Sequence, residues 1–250
     1  MDQRFSASGP PLAGGERIRR RVAALDWEGI AAALDREGYA RIPRLLAAPE
    51  RRALLGLYAR DELFRKRIDM ERHRFGVGEY KYFANPLPPL VAELREALYP
   101  RLAPLANRWL DRLGAAGRLP GSLARFRARC RAAGQTRPTP LLLHYEAGGF
   151  NHLHQDLYGE VAFPLQLTCL LSQPGRDFTG GEFLLLEQRP RTQSRGEAIA
   201  LRAGEAIVFP TRERPVPGAR GFVRAQLRHG VSRVRSGSRT TLGIIFHDAR

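Results

Sequence analysis

The chain has 250 residues, enough for one large mixed unit or for a helical segment packed on a barrel. It contains no apolar run of about 18 residues or more, which excludes a helical membrane span. Its formal net charge of +16 (41 basic against 25 acidic residues) creates a field that attracts nucleic acid or other polyanions. Lys66 and Lys81 are the only lysines, so the arginine excess also fits a composition-biased genome. From Met1 to Pro11 the chain lacks a signal peptide's apolar core, and 1–16 reads as a flexible tail. Residues 17–135 read as a helical region. Asp26 is placed to cap a helix that starts at Trp27, and a short strand is expected over 38–42. Pro49 opens a second helix through Leu54, Leu55 and Tyr58. Leu90, Leu94, Leu98, Leu102, Leu105 and Leu110 keep helical spacing, with breaks expected near Pro100 and Pro104. A further helix is expected over 122–132.

From about Thr139 the apolar period changes to two. Strands are expected over 141–145, 150–156, 163–171, 182–186, 198–201, 206–209, 225–231 and 240–246. Turn signals such as Pro174-Gly175, Gly180-Gly181 and Ala203-Gly204 separate them. Eight short strands around a cavity predict a double-stranded β-helix (jelly roll) over 136–250, with the N-terminal helical region packed on it. The fold class is therefore mixed α/β (α+β).

The chemistry concentrates in His154-Gln155-Asp156 and His229. A strand alternates its side chains, so His154 and Asp156 are expected on one face. With His229 they form the two-nitrogen, one-carboxylate set that holds iron(II) and leaves three coordination positions open. A 2-oxo acid can take two of these and dioxygen the third. Arg239, Thr241, Gly243 and Ile245 share one strand face. If that face looks into the barrel, Arg239 is a buried charge that needs an anionic partner, and its planar fork suits a carboxylate. Thr241 adds a hydroxyl donor, and Gly243 leaves room for the ligand. Arg212, Arg214 and Arg220 lie near the expected mouth and would form a basic rim for phosphates flanking a single-stranded or flipped base. Cys130 and Cys169 are expected to be buried free thiols, which together with ferrous-iron chemistry points to the cytoplasm.

A second class of function uses overlapping residues. His152 and His154 also share a face, and with Glu160 they would make a cupin-like metal- or ligand-binding module without oxygenase activity. That reading leaves Arg239 without a role.

Several motifs together resemble a bacterial 2-oxoglutarate/Fe(II)-dependent oxygenase family described as acting oxidatively on methylated, damaged DNA. They are Gln135 to Pro140, His154-Gln155-Asp156-Leu157-Tyr158-Gly159, Asp177 to Phe183, Glu187 to Arg191, Arg228 to Ser232 and Gly243 to Asp248. More distantly, Tyr145, Gly148 and His154-Gln155-Asp156 resemble AlkB-type demethylases, in which the corresponding tyrosine touches the co-substrate. Leu143 and Ile245 stand where those proteins have an asparagine and a second arginine. Phe178-Thr179-Gly180-Gly181-Glu182-Phe183 is instead similar to prolyl-hydroxylase-type oxygenases. The resemblance implies Fe(II), 2-oxoglutarate as co-substrate and O2, with ascorbate in a supporting role. It assigns metal binding to His154, Asp156 and His229, and co-substrate binding to Arg239, Thr241 and Tyr145. The implied reaction is hydroxylation of a substrate C–H bond. On a base N-methyl group the product would fall apart to formaldehyde and the demethylated base; on a peptide or small molecule it would be a stable alcohol.

Overall fold

Alternation of apolar and polar residues in the second half of the chain builds two antiparallel sheets that enclose a cavity. The computed structural model describes residues 14–250. Positions 1–13 of the expected tail lie outside the described residues, and its last three residues begin a helix. The helices are α1 (Gly14–Ala23), α2 (Trp27–Glu37), α3 (Ala48–Leu57), α4 (Pro89–Arg112) and α5 (Leu123–Ala132). The first strands are β1 (Ala40–Ile42), β2 (Phe64–Asp69), β3 (Gly76–Val77), β4 (Glu79–Phe83), β5 (Leu141–Tyr145), β6 (Phe150–His154) and β7 (Leu165–Leu170). There follow β8 (Phe178–Gly180), β9 (Phe183–Gln188), β10 (Arg195–Ile199) and β11 (Ala206–Pro210). Last come β12 (Glu213–Gly218), β13 (Gly221–Val231), β14 (Val234–Gly237) and β15 (Arg239–Ile245).

The larger sheet has the order β1-β11-β7-β15-β5-β4-β2, and the smaller has β10-β9-β13-β6-β3 with β12 added beside β13. A two-stranded ribbon of β14 and β8 lies apart from both. This is the expected jelly roll, and each of the eight expected strands is present within a few residues of its predicted bounds. The N-terminal region is more than a helical support, because β1, β2 and β4 extend the larger sheet and β3 extends the smaller one. Charged residues interrupt the alternation in β2 and β4, and Pro215 and Pro217 mask β12. Proline is tolerated in β12 because that strand pairs only with β13.

The larger sheet has two chemically different faces. Leu165, Leu167 and Cys169 of β7, with Leu242 and Ile244 of β15, join α4 residues such as Leu94, Leu98 and Leu102 in one buried apolar cluster. The alternate residues of the same strands, Gln166 and Thr168 on β7 and Arg239, Thr241 and Gly243 on β15, line the cavity. Period-two alternation thus aims the polar set at the site while α4 covers the reverse face. The expected breaks in α4 do not occur, since the helix runs unbroken through Pro100 and Pro104. Each interior proline costs about 3 kcal/mol of helix stability. Fully buried Leu94, Leu98, Tyr99, Leu102 and Ala106 offset this, because burying a large apolar side chain stabilises by roughly 1.5–3 kcal/mol.

Local signals elsewhere hold. Asp26 accepts a hydrogen bond from the Gly29 amide at 2.9 Å, and Ser122 caps α5. Cys130 and Cys169 are free and buried. Among the described residues no helix is long and apolar enough to cross a membrane.

Candidate metal and co-substrate site

Three elements bring His154, Asp156 and His229 together. His154 ends β6, and its Cα is paired with that of His229 on β13. Their rings lie 4.2 Å apart between centroids. Asp156 does not continue the strand as expected, because β6 stops at His154 and Asp156 sits in the following loop. What returns its carboxylate to the site is Gln155, whose carboxamide donates to the Leu227 and Arg212 carbonyls at 2.8 and 3.1 Å and pins the loop to β13. Asp156 Oδ2 then lies 3.1 Å from His229 Nε2, and Oδ1 lies 3.6 Å from His154 Nε2. One ligand atom from each of the three residues falls within 4.8 Å of the others.

The neighbours fix the protonation states this set requires. His154 Nδ1 lies 2.8 Å from the His152 carbonyl, which can only accept; Nδ1 therefore carries the proton and Nε2 keeps its lone pair. Burial and the adjacent His229 ring lower the His154 pKa, so its imidazole is neutral. Burial by itself would raise the Asp156 carboxyl, but the His229 ring, His154 and the Tyr158 hydroxyl outweigh it and hold the group well below the usual range. His229 stacks on Phe183 with ring centroids 5.9 Å apart and tilts against Phe209 at 4.7 Å. These contacts leave the ring little rotational freedom.

The triad opens into a cavity of about 410 Å³. Arg239, 1% exposed, lies in its wall opposite Tyr145 in the strand register. Its Nε and Nη1 have no hydrogen-bond partner. Aromatic rings of Tyr145 and Phe178 lie 5.8 and 5.9 Å from its guanidinium carbon. Burial pulls its pKa down to about 10, so the group is still charged at neutral pH. Leaving a buried guanidinium unpaired is costly, and the arrangement makes physical sense when an anion occupies the cavity. Gly181 permits the approach of the loop before β9, since a Cβ there would lie 2.7 Å from Arg239 Cδ. Thr241 and Gly243 line the cavity beside Arg239. Tyr145 is fully buried, its hydroxyl accepts from Asn151 Nδ2 at 3.3 Å, and burial raises its pKa to about 12.

A protein family described as "Oxygenase, catalysing oxidative methylation of damaged DNA" matches residues 78–249. The chain belongs to this oxygenase family. An uncharacterized protein of Mycobacterium tuberculosis is 53% identical over 167 residues, 67% of this chain and 72% of the relative. The fold is similar to that of a Pseudomonas putida prolyl-4-hydroxylase (TM-score 0.53, 14% identity, 90% of this chain and 99% of that one). It is also similar to a Trichoplax adhaerens prolyl hydroxylase in complex with a hypoxia inducible factor peptide fragment (TM-score 0.52, 14% identity, 93% of each chain). A third likeness is to the non-heme alpha-ketoglutarate-dependent epimerase SnoN of nogalamycin biosynthesis (TM-score 0.51, 16% identity, 87% of this chain and 82% of that one). The protein is thus an oxygenase, and so an oxidoreductase; Fe(II), 2-oxoglutarate and O2 are the groups that the resemblance of its motifs implies. The residues present fit these groups: two imidazoles and an anionic carboxylate converge, and the orphaned guanidinium of Arg239 shares their cavity.

The remaining expectations fare unevenly. Glu160 stands on the surface in an ion pair with Arg250, and His152 packs edge-on against Phe150, so the cupin-like ligand set is not assembled. Arg214 is a correction to the basic rim. It is buried and donates to Glu187 at 2.6 Å and to the Asp35 carbonyl at 2.8 Å, clamping the end of α2 to β9. Arg220 is exposed, but eight residues of β13 lie between it and His229, about 30 Å along an extended strand. Arg212 is exposed, and its carbonyl meets Gln155 beside the triad. Sequence reasoning missed Gln166, Asn151, Tyr80, Tyr82 and Tyr158, all of which line the cavity. For Gln166 a signal existed, since with Thr168 it alternates against the apolar residues of its strand.

Proposed function

We propose that the protein couples oxidation of 2-oxoglutarate to hydroxylation of a substrate C–H bond, with His154, Asp156 and His229 holding the iron and Arg239 the distal carboxylate of the co-substrate. The observation that carries this reading is the buried, unpartnered guanidinium in the cavity that also contains the triad. Bound iron with 2-oxoglutarate supplies dioxygen activation, coupled to decarboxylation of the 2-oxo acid to succinate and delivery of one oxygen atom to the substrate. The protein's residues bind, orient and exclude water. Arg239 offers two nitrogens to a carboxylate, Thr241 adds a hydroxyl, and Tyr145 closes the wall beside them. Leu141, Leu143 and Ile245 keep the rest of that wall apolar. Iron-dependent conversion of 2-oxoglutarate to succinate by the purified protein tests the reading. Turnover that survives loss of Asp156, or equal 2-oxoglutarate affinity with and without Arg239, removes the corresponding assignment.

For the substrate we take methylated nucleic acid, single-stranded or with its base flipped, on the strength of the family description and the net charge of +16. A peptide or small-molecule substrate is the competing reading, favoured by exposed Phe75 and Leu153 at the cavity mouth. Methylated single-stranded oligonucleotides should stimulate succinate formation and release formaldehyde, with stimulation falling steeply as salt rises. No formaldehyde from a broad panel of methylated bases, with stimulation by peptides instead, establishes the competitor. The two free, buried thiols and the use of ferrous iron support a cytoplasmic location in this reading.

A further inference from the structure

Tyr158 belongs to the loop that carries Asp156, two residues further on, and no role follows for it from the triad itself. Its hydroxyl donates to Asp156 Oδ1 at 2.7 Å. The direction of that bond is fixed by the carboxylate, which can only accept. That uses the single Tyr158 proton, so Tyr82 Oη donates to Tyr158 Oη at 3.1 Å. Both phenols are held by packing. The Tyr82 ring meets Tyr158 edge-on at 6.2 Å and Tyr80 edge-on at 5.4 Å, and the Arg65 guanidinium caps it at 4.6 Å. The His247 ring flanks Tyr158 from the far side at 6.0 Å.

The two oxygens of Asp156 are therefore unlike. Oδ1 is engaged by a phenol, whereas Oδ2 faces His229 Nε2 at 3.1 Å. Neighbouring ligand atoms on an octahedral ion with bonds of about 2.1 Å lie roughly 3.0 Å apart, close to the 3.1 Å between Oδ2 and His229 Nε2. We propose that Tyr158 is a positioning residue that occupies Asp156 Oδ1, so that the carboxylate presents Oδ2 alone to the metal and leaves a coordination position open. The inference rests on Asp156 being an iron ligand. The position it protects matters because a chelating 2-oxo acid needs two sites and dioxygen a third. Tyr82, on the cavity wall, backs the pair by donating to Tyr158.

The test uses the full chain loaded with Mn(II), and reads the number of metal-bound waters from 17O-water broadening of the Mn(II) electron paramagnetic resonance signal. About three waters are expected in the wild type, the complement of three protein ligands. Tyr158→Phe keeps the ring and removes only the hydroxyl, which frees Oδ1 to bind the ion; the count should fall by about one. A variant that folds, binds Mn(II) and keeps the wild-type count overturns the proposal. A purely structural role for Tyr158 would leave that count unmoved. Asp156→Ala separates this failure from failure of the underlying reading. If that variant binds Mn(II) as tightly as the wild type, Asp156 is not a ligand and the inference falls with it.

Discussion

Replacing Arg239 with methionine should move two measurements in opposite directions. The guanidinium is 1% exposed, and two of its nitrogens have no partner. Burial lowers its pKa from its ordinary value to about 10, which corresponds to roughly 3 kcal/mol spent on keeping the group charged in the ligand-free fold. Because the folded-state value is the lower one, this penalty is full below about pH 10 and fades only as pH rises above it. Methionine has a similar length and no charge. It forfeits the contacts with Tyr145 and Phe178, each worth about 0.5–1 kcal/mol, so the net gain in ligand-free stability should be about 1–2 kcal/mol. Affinity for 2-oxoglutarate should change the other way. Losing a charge-assisted contact worth about 1.5–3 kcal/mol weakens binding roughly 10- to 100-fold. Urea unfolding of the metal-free protein and calorimetric titration of the Mn(II)-loaded protein with 2-oxoglutarate read the two effects. At a co-substrate concentration about 100 times Kd, the wild type should gain about 2.7 kcal/mol, and the variant much less at that same concentration. A variant less stable than wild type without ligand, yet equal in affinity, would refute both the burial cost and the anion-binding role.

Three further outcomes are expected. His154→Ala, Asp156→Ala and His229→Ala should each abolish tight Mn(II) binding with an unchanged circular dichroism spectrum, whereas His152→Ala should retain binding, because its ring packs on Phe150. Arg214→Ala should cost about 1.5–3 kcal/mol in urea unfolding by leaving buried Glu187 with Arg189 as its remaining ion-pair partner, while Arg212→Ala and Arg220→Ala stay within about 0.5 kcal/mol. Burial alone would raise the Glu187 carboxyl, but the bonds from Arg189 and Arg214 hold it below its ordinary 4.5. Its stabilisation is then present above pH 4.5 and lost as pH falls through the folded value, so the stability gap between wild type and Glu187→Gln should narrow in that acid range.

Much of the barrel was legible because period-two alternation and burial are the same fact seen twice. Leu165, Leu167 and Cys169 alternate with Gln166 and Thr168, and that alternation alone separates the α4-facing surface from the cavity-facing one. Alternation failed where the partner surface is not uniformly apolar. In β2 and β4, Arg67 and Glu79 pair with each other at the sheet edge, and Lys81 reaches Asp61 at 2.7 Å, so charged residues stand where a pattern reader looks for apolar ones. The unbroken α4 illustrates the opposite limit. Local propensity predicts a break at Pro100 and Pro104, but a row of buried contacts against the sheet carries more free energy than the missing backbone bonds.

The site divides along the same line. Arg239 was readable because a charge on an inward strand face demands a counter-charge, and that argument needs only local sequence and period. Asp156 was found for a partly wrong reason. Strand alternation does not place it, since β6 ends at His154; the Gln155 carboxamide does, through carbonyls contributed by residues 212 and 227. Arg214 failed as a rim residue because its partner, Glu187, lies 27 positions away on β9, a strand with which β12 does not pair. The Tyr82–Tyr158–Asp156 chain is harder still to read in one dimension, as its first two members lie 76 residues apart and meet only because β4 extends the larger sheet. Residues that act alone on a strand face are written in the period of the sequence, and residues that act through a partner emerge only once the topology has chosen that partner.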